Sequence, residues 1–195
     1  MNYNSFYITT LGCSKNTVDS EIIRGRLLKA GLEWTSPDDC DVLIINTCGF
    51  ILDAKEESIE AIMDAVHLKE EGQLKKLIVM GCMVERYAEE LAAELPEVDN
   101  FFGVEPFSEI MEELADDNAG PRELLTPDHF AYLKIAEGCD NSCSFCSIPD
   151  IRGVQHSKSI ENLLAEARYL QSLGVKELII IAQDTTRYGT DLYGR

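Results

Sequence analysis

Cys139, Cys143 and Cys146 fall in the run Glu137-Gly138-Cys139-Asp140-Asn141-Ser142-Cys143-Ser144-Phe145-Cys146. Three thiolates within eight residues can grip three irons of a cubane 4Fe-4S cluster. Most such clusters use four cysteines. Three leave one iron open, as a catalytic zinc keeps one position free for substrate. An open iron takes a small chelating ligand. The competing readings are a small zinc site or reduced structural thiols. Zinc prefers paired C-x2-C half-sites and a fourth ligand. No second half-site lies nearby in the sequence, and His129 and His156 stand at no regular offset. The spacing therefore points to a cluster.

Such a loop needs elements that hold it. Residues 130–136 read as a strand, with the cysteine loop directly after it. Residues 159–173 read as a helix ending at Gly174, and residues 177–182 as a strand running into Gln183 and Asp184. This order is the opening of a (β/α) barrel, whose active sites sit in the loops after its strands. Only 66 residues run from Phe130 to Arg195. A βα unit takes roughly 30 residues or more, so about two units fit and a parallel barrel does not close. The chain is expected to be an N-terminal piece of a longer protein, with no turnover by itself.

The preceding 118 residues alternate strand and helix patterns. Residues 6–10, 42–46 and 77–80 read as apolar strands, and residues 32–35 and 98–103 as shorter ones. Val18, Ile22, Ile23, Leu27 and Ala30 form a helical stripe before Gly31. Ile59, Ile62, Met63 and Val66 form another before Gly72. Residues 84–95 and 106–118 complete the helices. Continuously apolar strands in alternation with helices predict an α/β domain, an open parallel sheet with helices on both faces. The expected organisation is this domain over residues 1–118, a linker over 119–128 around Asn118-Ala119-Gly120-Pro121, and the first βα units of an incomplete TIM-like barrel over 129–195.

Three more cysteines share a placement. Cys13 in Leu11-Gly12-Cys13, Cys48 in Asn46-Thr47-Cys48-Gly49 and Cys82 in Gly81-Cys82 each follow the carboxyl end of a predicted parallel strand. Those ends line one edge of an open α/β sheet, where ligands bind. Cysteines 35 and 34 residues apart can therefore converge. A glycine beside each lets the backbone approach a bulky cluster. Three converging thiolates without a fourth imply a second cluster with an open iron; the alternative is three buried cysteines acting as small hydrophobes. Cys40, in the turn Pro37-Asp38-Asp39-Cys40-Asp41, reads as a bystander. His67 reads as solvated, His129 and His156 as lone histidines, and Trp34, Tyr132 and Phe107 as packing residues.

The formal net charge is −18. Between Glu85 and Asp128 there are fourteen acidic and two basic residues, a local balance of −12. That surface repels phosphate backbones and suits a basic protein partner, so direct nucleic-acid binding is not expected of it. The competing reading is a set of solvated helix faces. The first residues carry no basic n-region, so no signal peptide is expected, and no apolar run approaches membrane length. Seven cysteines then suggest metal binding in a reducing cytoplasm.

On these residues the chain resembles the methylthiotransferases, a two-cluster branch of the radical S-adenosylmethionine superfamily. The likeness spans essentially all 195 residues. Gly12-Cys13, Asn46-Thr47-Cys48 and Gly81-Cys82 match that family's own domain; Glu137 to Cys146, Ile148-Pro149 and Arg152-Gly153 match its barrel cluster loop. Residues 11–21, Cys48-Gly49-Phe50-Ile51, Ala54-Lys55-Glu56-Glu57-Ser58-Ile59 and Ile181-Ala182-Gln183-Asp184-Thr185-Thr186 look like the branch that modifies an aspartate of small-subunit ribosomal protein S-twelve. The branch acting on isopentenyl-adenosine in tRNA has Gly-Cys-Gln-Met-Asn and Gly-Gln-Asn-Val at the corresponding places, and this chain has neither. Ser157-Lys158 departs from the usual Ser-Arg and loses the bidentate fork, so Lys158 receives no role.

The resemblance implies two 4Fe-4S clusters. Cys139, Cys143 and Cys146 would hold the one whose open iron chelates S-adenosylmethionine. An electron from a reducing donor would cleave it to methionine and a 5′-deoxyadenosyl radical, which takes a hydrogen from the β-carbon of the target aspartate. Phe145 would lie against the adenine, and Gln183 and Asp184 would contact the methionine or ribose part. Cys13, Cys48 and Cys82 would hold an auxiliary cluster that presents the methylated sulfur. Two alternatives remain: methylthiolation of tRNA, and a non-catalytic iron–sulfur module.

Overall fold

The computed structural model describes residues 3–115 and 120–194. The chain forms two compact units, Met1–Glu123 and Leu124–Arg195.

The first unit is a five-stranded, all-parallel sheet. Its elements in order are β1 (Ser5–Thr10), α1 (Ser14–Lys29), β2 (Glu33–Trp34), β3 (Val42–Thr47), α2 (Leu52–Glu70), β4 (Lys76–Gly81), α3 (Cys82–Glu94), β5 (Asn100–Phe102) and α4 (Phe107–Leu114). The strands lie in the order β2-β1-β3-β4-β5. This is the flavodoxin-like doubly wound order, whose switch point lies between β1 and β3.

The apolar strands explain the two-sided burial. Every residue of β3 and β4 is buried. Leu43, Ile45, Leu77 and Val79 face a core with Ile62 and Val66 of α2 and Met83 and Leu91 of α3. Val42, Ile44, Ile78 and Met80 face the other core, with Ile23 and Leu27 of α1 and Ile110 and Met111 of α4. A strand with apolar side chains on both sides must be covered twice, which the helices do. Each such side chain contributes about 1.5–3 kcal/mol of burial.

The differences from expectation are local. Helix α3 begins at Cys82 itself, two residues before the expected 84. The expected strand at 98–103 shortens to Asn100–Phe102, and the one at 32–35 to Glu33–Trp34. Helix α4 ends at Leu114 because Ala115 turns to extended backbone. Residues 116–118 of the expected helix and residue 119 of the expected linker lie outside the described residues. Within that linker range, Arg122 Nε meets Glu21 Oε2 of α1 at 2.6 Å, and the Glu123 N–H donates to Glu21 O at 3.0 Å.

The second unit contains β6 (Phe130–Lys134), β7 (Ala136–Glu137), α5 (Ile148–Arg152), β8 (His156–Ser157), α6 (Ile160–Ser172), β9 (Glu177–Ile181) and α7 (Thr190–Tyr193). β6 and β9 pair in parallel, Phe130 opposite Glu177 through Lys134 opposite Ile181. Helix α6 connects them; its Ser159 N-cap accepts the Asn162 N–H at 3.3 Å, and its Leu163 and Leu170 pack on the β6 side chains Leu133 and Ala131. The expected strand at 130–136 is corrected here. It breaks after Lys134, and β7 joins β8 in a separate antiparallel pair, Glu137 opposite His156. That pair clasps the base of the cysteine loop. Among the described residues no helix is long and apolar enough to cross a membrane.

Candidate metal centres

Cys13, Cys48 and Cys82 sit beyond the carboxyl ends of β1, β3 and β4, which are neighbours in the sheet. Cys13 is the N-cap of α1, and Cys82 is the first residue of α3. Two helix N-termini therefore start at this edge, a setting that favours anions. The loops touch. A Cβ added to Gly12 would fall 2.6 Å from Cys48 Cβ and 3.0 Å from its Sγ, so only glycine lets the first loop close on the second. Gly49 in turn lies against the Cys82 and Met83 backbone.

A buried polar network fixes this edge. Asn16, in the first turn of α1, donates from Nδ2 to Leu11 O at 2.9 Å and to Thr47 O at 3.0 Å. Its Oδ1 stands 3.9 Å from Cys13 Sγ and 4.0 Å from Cys82 Sγ. Asn46 Nδ2 donates to Asn16 O and Ser20 Oγ, both at 3.0 Å. Thr47 Oγ1 donates to Met80 O at 2.6 Å. Ser58 of α2 accepts the Cys48 N–H at 3.1 Å and donates to Ala54 O at 2.7 Å. Arg86 NH1 donates to Gly49 O at 3.0 Å. Asn16, Asn46, Thr47 and Ser58 are all essentially without solvent exposure, so their polar atoms must find partners inside. The sequence reading passed over Asn16 and Ser58. A polar residue facing the sheet from a helix otherwise read as an apolar stripe is the signal that could have found them.

The cysteine loop of the second unit is built locally. The Cys139 N–H donates to Gly153 O at 3.0 Å and the Cys146 N–H to Cys143 O at 3.1 Å. Gly138 has φ +73°, and a Cβ there would fall 2.1 Å from Val154 O. Cys139 is buried, Cys146 half-buried and Cys143 exposed. Phe145 is 87% exposed, open to a ligand and uncovered within its unit. Asp140 Oδ1 accepts the Gln155 N–H at 2.8 Å, and Asn141 bridges Asp184 Oδ2 at 3.1 Å and Arg187 NH1 at 2.9 Å. Among the described residues neither triplet draws all three sulfurs within 4.8 Å of one another. One tetrahedral zinc, with bonds of about 2.3 Å, needs its sulfurs about 3.8 Å apart. Three thiol donors per site, with glycine making room beside them, fit a cubane.

Beneath the loop lies a charge cluster that the sequence reading missed. Glu137 Oε2 accepts from Lys134 Nζ and from Arg152 NH1, both at 2.9 Å. All three groups are buried. Burial alone would push the Glu137 carboxyl up; the two cations outweigh it and hold it at about 2. A lysine inside the apolar strand at 130–136 was the available signal, because a buried cation demands a partner. Gln183 Nε2 donates to Glu137 Oε1 at 2.6 Å, while Gln183 Oε1 is buried without a hydrogen-bond partner among the described residues. Asp184 Oδ1 accepts from Thr186 N at 3.0 Å and from Thr186 Oγ1 at 2.6 Å, contacts that hold its carboxyl below the usual range together with Asn141. Asp184 thus ties the loop after β9 to the cysteine loop.

Cys40 is in the apolar core, 3% exposed, and burial pushes its thiol up to about 11. His156 is an exposed strand residue of β8, and Lys158 pairs with Glu166 at 2.8 Å.

Residues 5–103 match the family described as Uncharacterized protein family UPF0004, and residues 133–194 match the Radical SAM superfamily. Similar curated proteins carry the name Ribosomal protein uS12 methylthiotransferase RimO. The one from Chlorobaculum tepidum is 52% identical over 200 residues, covering 98% of this chain and 45% of the relative. Those from Sulfurihydrogenibium sp. and Bacteroides thetaiotaomicron are each 53% identical, covering 95% of this chain and 44% of the relative. The chain spans less than half the length of these relatives.

Proposed function

The chain belongs to the family described as Uncharacterized protein family UPF0004, and on that premise, with a radical SAM segment behind it, we propose that it serves the insertion of a methylthio group at the β-carbon of an aspartate in ribosomal protein uS12. The names of the relatives support the substrate. The observation that carries the reading is the convergence of Cys13, Cys48 and Cys82 on one sheet edge, a second set of three thiols in addition to that of the radical SAM segment.

In this reading residues 1–118 form the auxiliary-cluster domain, 119–128 the linker and 129–195 the start of the barrel. Cys139, Cys143 and Cys146 hold one 4Fe-4S cluster, and Cys13, Cys48 and Cys82 the other. With S-adenosylmethionine and an external electron donor, these groups supply radical hydrogen abstraction and a place to present sulfur. The chain's own residues do the rest. The β7–β8 clasp and the Asp140–Gln155 bond hold the cysteine loop in shape. Gln183, held by Glu137, has a carbonyl oxygen left over for the amino group of the methionine part. Phe145 offers an open ring face for the adenine. The acidic stretch from Glu85 to Asp128 suits a basic ribosomal protein and not a phosphate backbone. Reduced thiols and iron–sulfur chemistry favour a reducing compartment such as the cytoplasm for this reading.

The test is an iron and sulfide count after anaerobic reconstitution. Two cubanes give about eight irons per chain. Cys13→Ala, Cys48→Ala or Cys82→Ala should halve that number; an unchanged count refutes the auxiliary site. The substrate is tested in cells lacking the gene, where methylthio-aspartate in uS12 should disappear and methylthio-adenosine in tRNA should persist.

A further inference from the structure

We propose that Asn16 is the positioning residue of the Cys13, Cys48 and Cys82 site, and that its carboxamide oxygen sets the electrostatics of the cluster held there. The inference rests on the auxiliary-cluster reading above.

A primary amide has two N–H donors and one oxygen. Asn16 gives its Nδ2 to Leu11 O, in the loop of Cys13, and to Thr47 O, beside Cys48. Turning the amide over would lose both bonds and set Oδ1 against two carbonyl oxygens. The network itself therefore assigns the oxygen. That oxygen accepts from the Cys13 and Cys82 thiols, with Sγ to Oδ1 at 3.9 Å and 4.0 Å. One side chain thus touches parts of all three cysteine segments, and it is 1% exposed. Its backbone carbonyl also receives Asn46 Nδ2 at 3.0 Å, which anchors the helix turn to β3.

The sign of the contact matters. Hydrogen bonds to cluster sulfurs are one of the levers that set a cluster's potential. Here an amide presents the negative end of its dipole to two ligand sulfurs instead. Extra electron density on the cluster is disfavoured by that dipole, so the reduced state is harder to reach. The same dipole favours the cationic irons that replace the thiol protons. Residues that orient metal ligands in this way typically change metal affinity about 10–100-fold when removed.

The experiment uses the whole chain with Cys139, Cys143 and Cys146 replaced by Ala, so that one site is read alone. Asn16→Ala should lose iron to a chelator about 10–100-fold more readily. In the fraction that stays loaded, the midpoint potential followed by electron paramagnetic resonance should move up. Asn16→Asp, which adds negative charge at the same place, should move it down. Should the Ala variant fail to fold, the Asp variant carries the test. Unchanged potentials in the variants, with or without iron loss, overturn the proposal, since a purely structural amide would alter loading alone. If Cys13→Ala leaves the iron count intact, the cluster reading fails first and this inference falls with it.

Discussion

The two cysteine triplets are built in opposite ways. Cys139, Cys143 and Cys146 lie within one loop, and local backbone bonds from 138 to 155 give that loop its shape. Cys13, Cys48 and Cys82 come from three strand ends, and only the parallel register of β1, β3 and β4 brings them together. The first site depends on a short sequence and a charged foundation. The second depends on a whole sheet and a neutral amide network. A substitution should therefore damage each site through a different physical quantity.

The largest effect is expected beneath the loop. Glu137→Gln removes the carboxylate that Lys134 and Arg152 share, and breaking such a buried pair costs about 3–5 kcal/mol. Denaturation followed in the second unit should show it. The same group makes that unit acid-sensitive. Its carboxyl is held below the ordinary value of 4.5, at about 2. Its stabilisation is therefore complete above about 4.5 and is lost as the pH falls through about 2. The sheet-edge side chains Asn16, Asn46, Thr47 and Ser58 are themselves not ionisable and should not follow that profile.

A smaller effect distinguishes the two glycines. Gly138→Ala drives a Cβ into the backbone oxygen of Val154. At positive φ this should cost about 2–3 kcal/mol of stability. Gly12→Ala carries the same positive-φ strain, at φ +86°, but its Cβ meets the Cys48 side chain and not backbone. It should displace a thiol and lower iron retention at that site more than it lowers the melting temperature. Equal effects of the two on melting and on iron would erase the distinction between the sites. The smallest effect is Cys40→Ala, about 1 kcal/mol from a small core void with the iron count unchanged.

Much of this was legible in the chain itself. The apolar runs at 42–46 and 77–80 announced strands covered on both sides, and their alternation with helices gave the doubly wound sheet. The cysteines after those strands followed from the same topology. What stayed hidden was mostly side-chain pairing. Asn16 and Ser58 look like ordinary helix residues until the fold shows which carbonyls they face. Lys134 and Arg152 are eighteen residues apart and share Glu137 because the β7–β8 clasp folds the segment back. Strands of two residues carry too little periodicity to be seen.

The register of β1, β3 and β4 also has a consequence in time. Its pairings join residues more than thirty positions apart, and long-range parallel pairing is the slow part of folding. During synthesis the thiols of Cys13 and Cys48, which follow neighbouring strands, must wait for the strand ending at Gly81 before Cys82 joins them. Until then the set lacks its third sulfur. The loop holding Cys139, Cys143 and Cys146 gathers its ligands within a few residues of chain growth. Measured from the moment its last cysteine emerges, the loop site is therefore ready for iron after a shorter delay than the sheet-edge site.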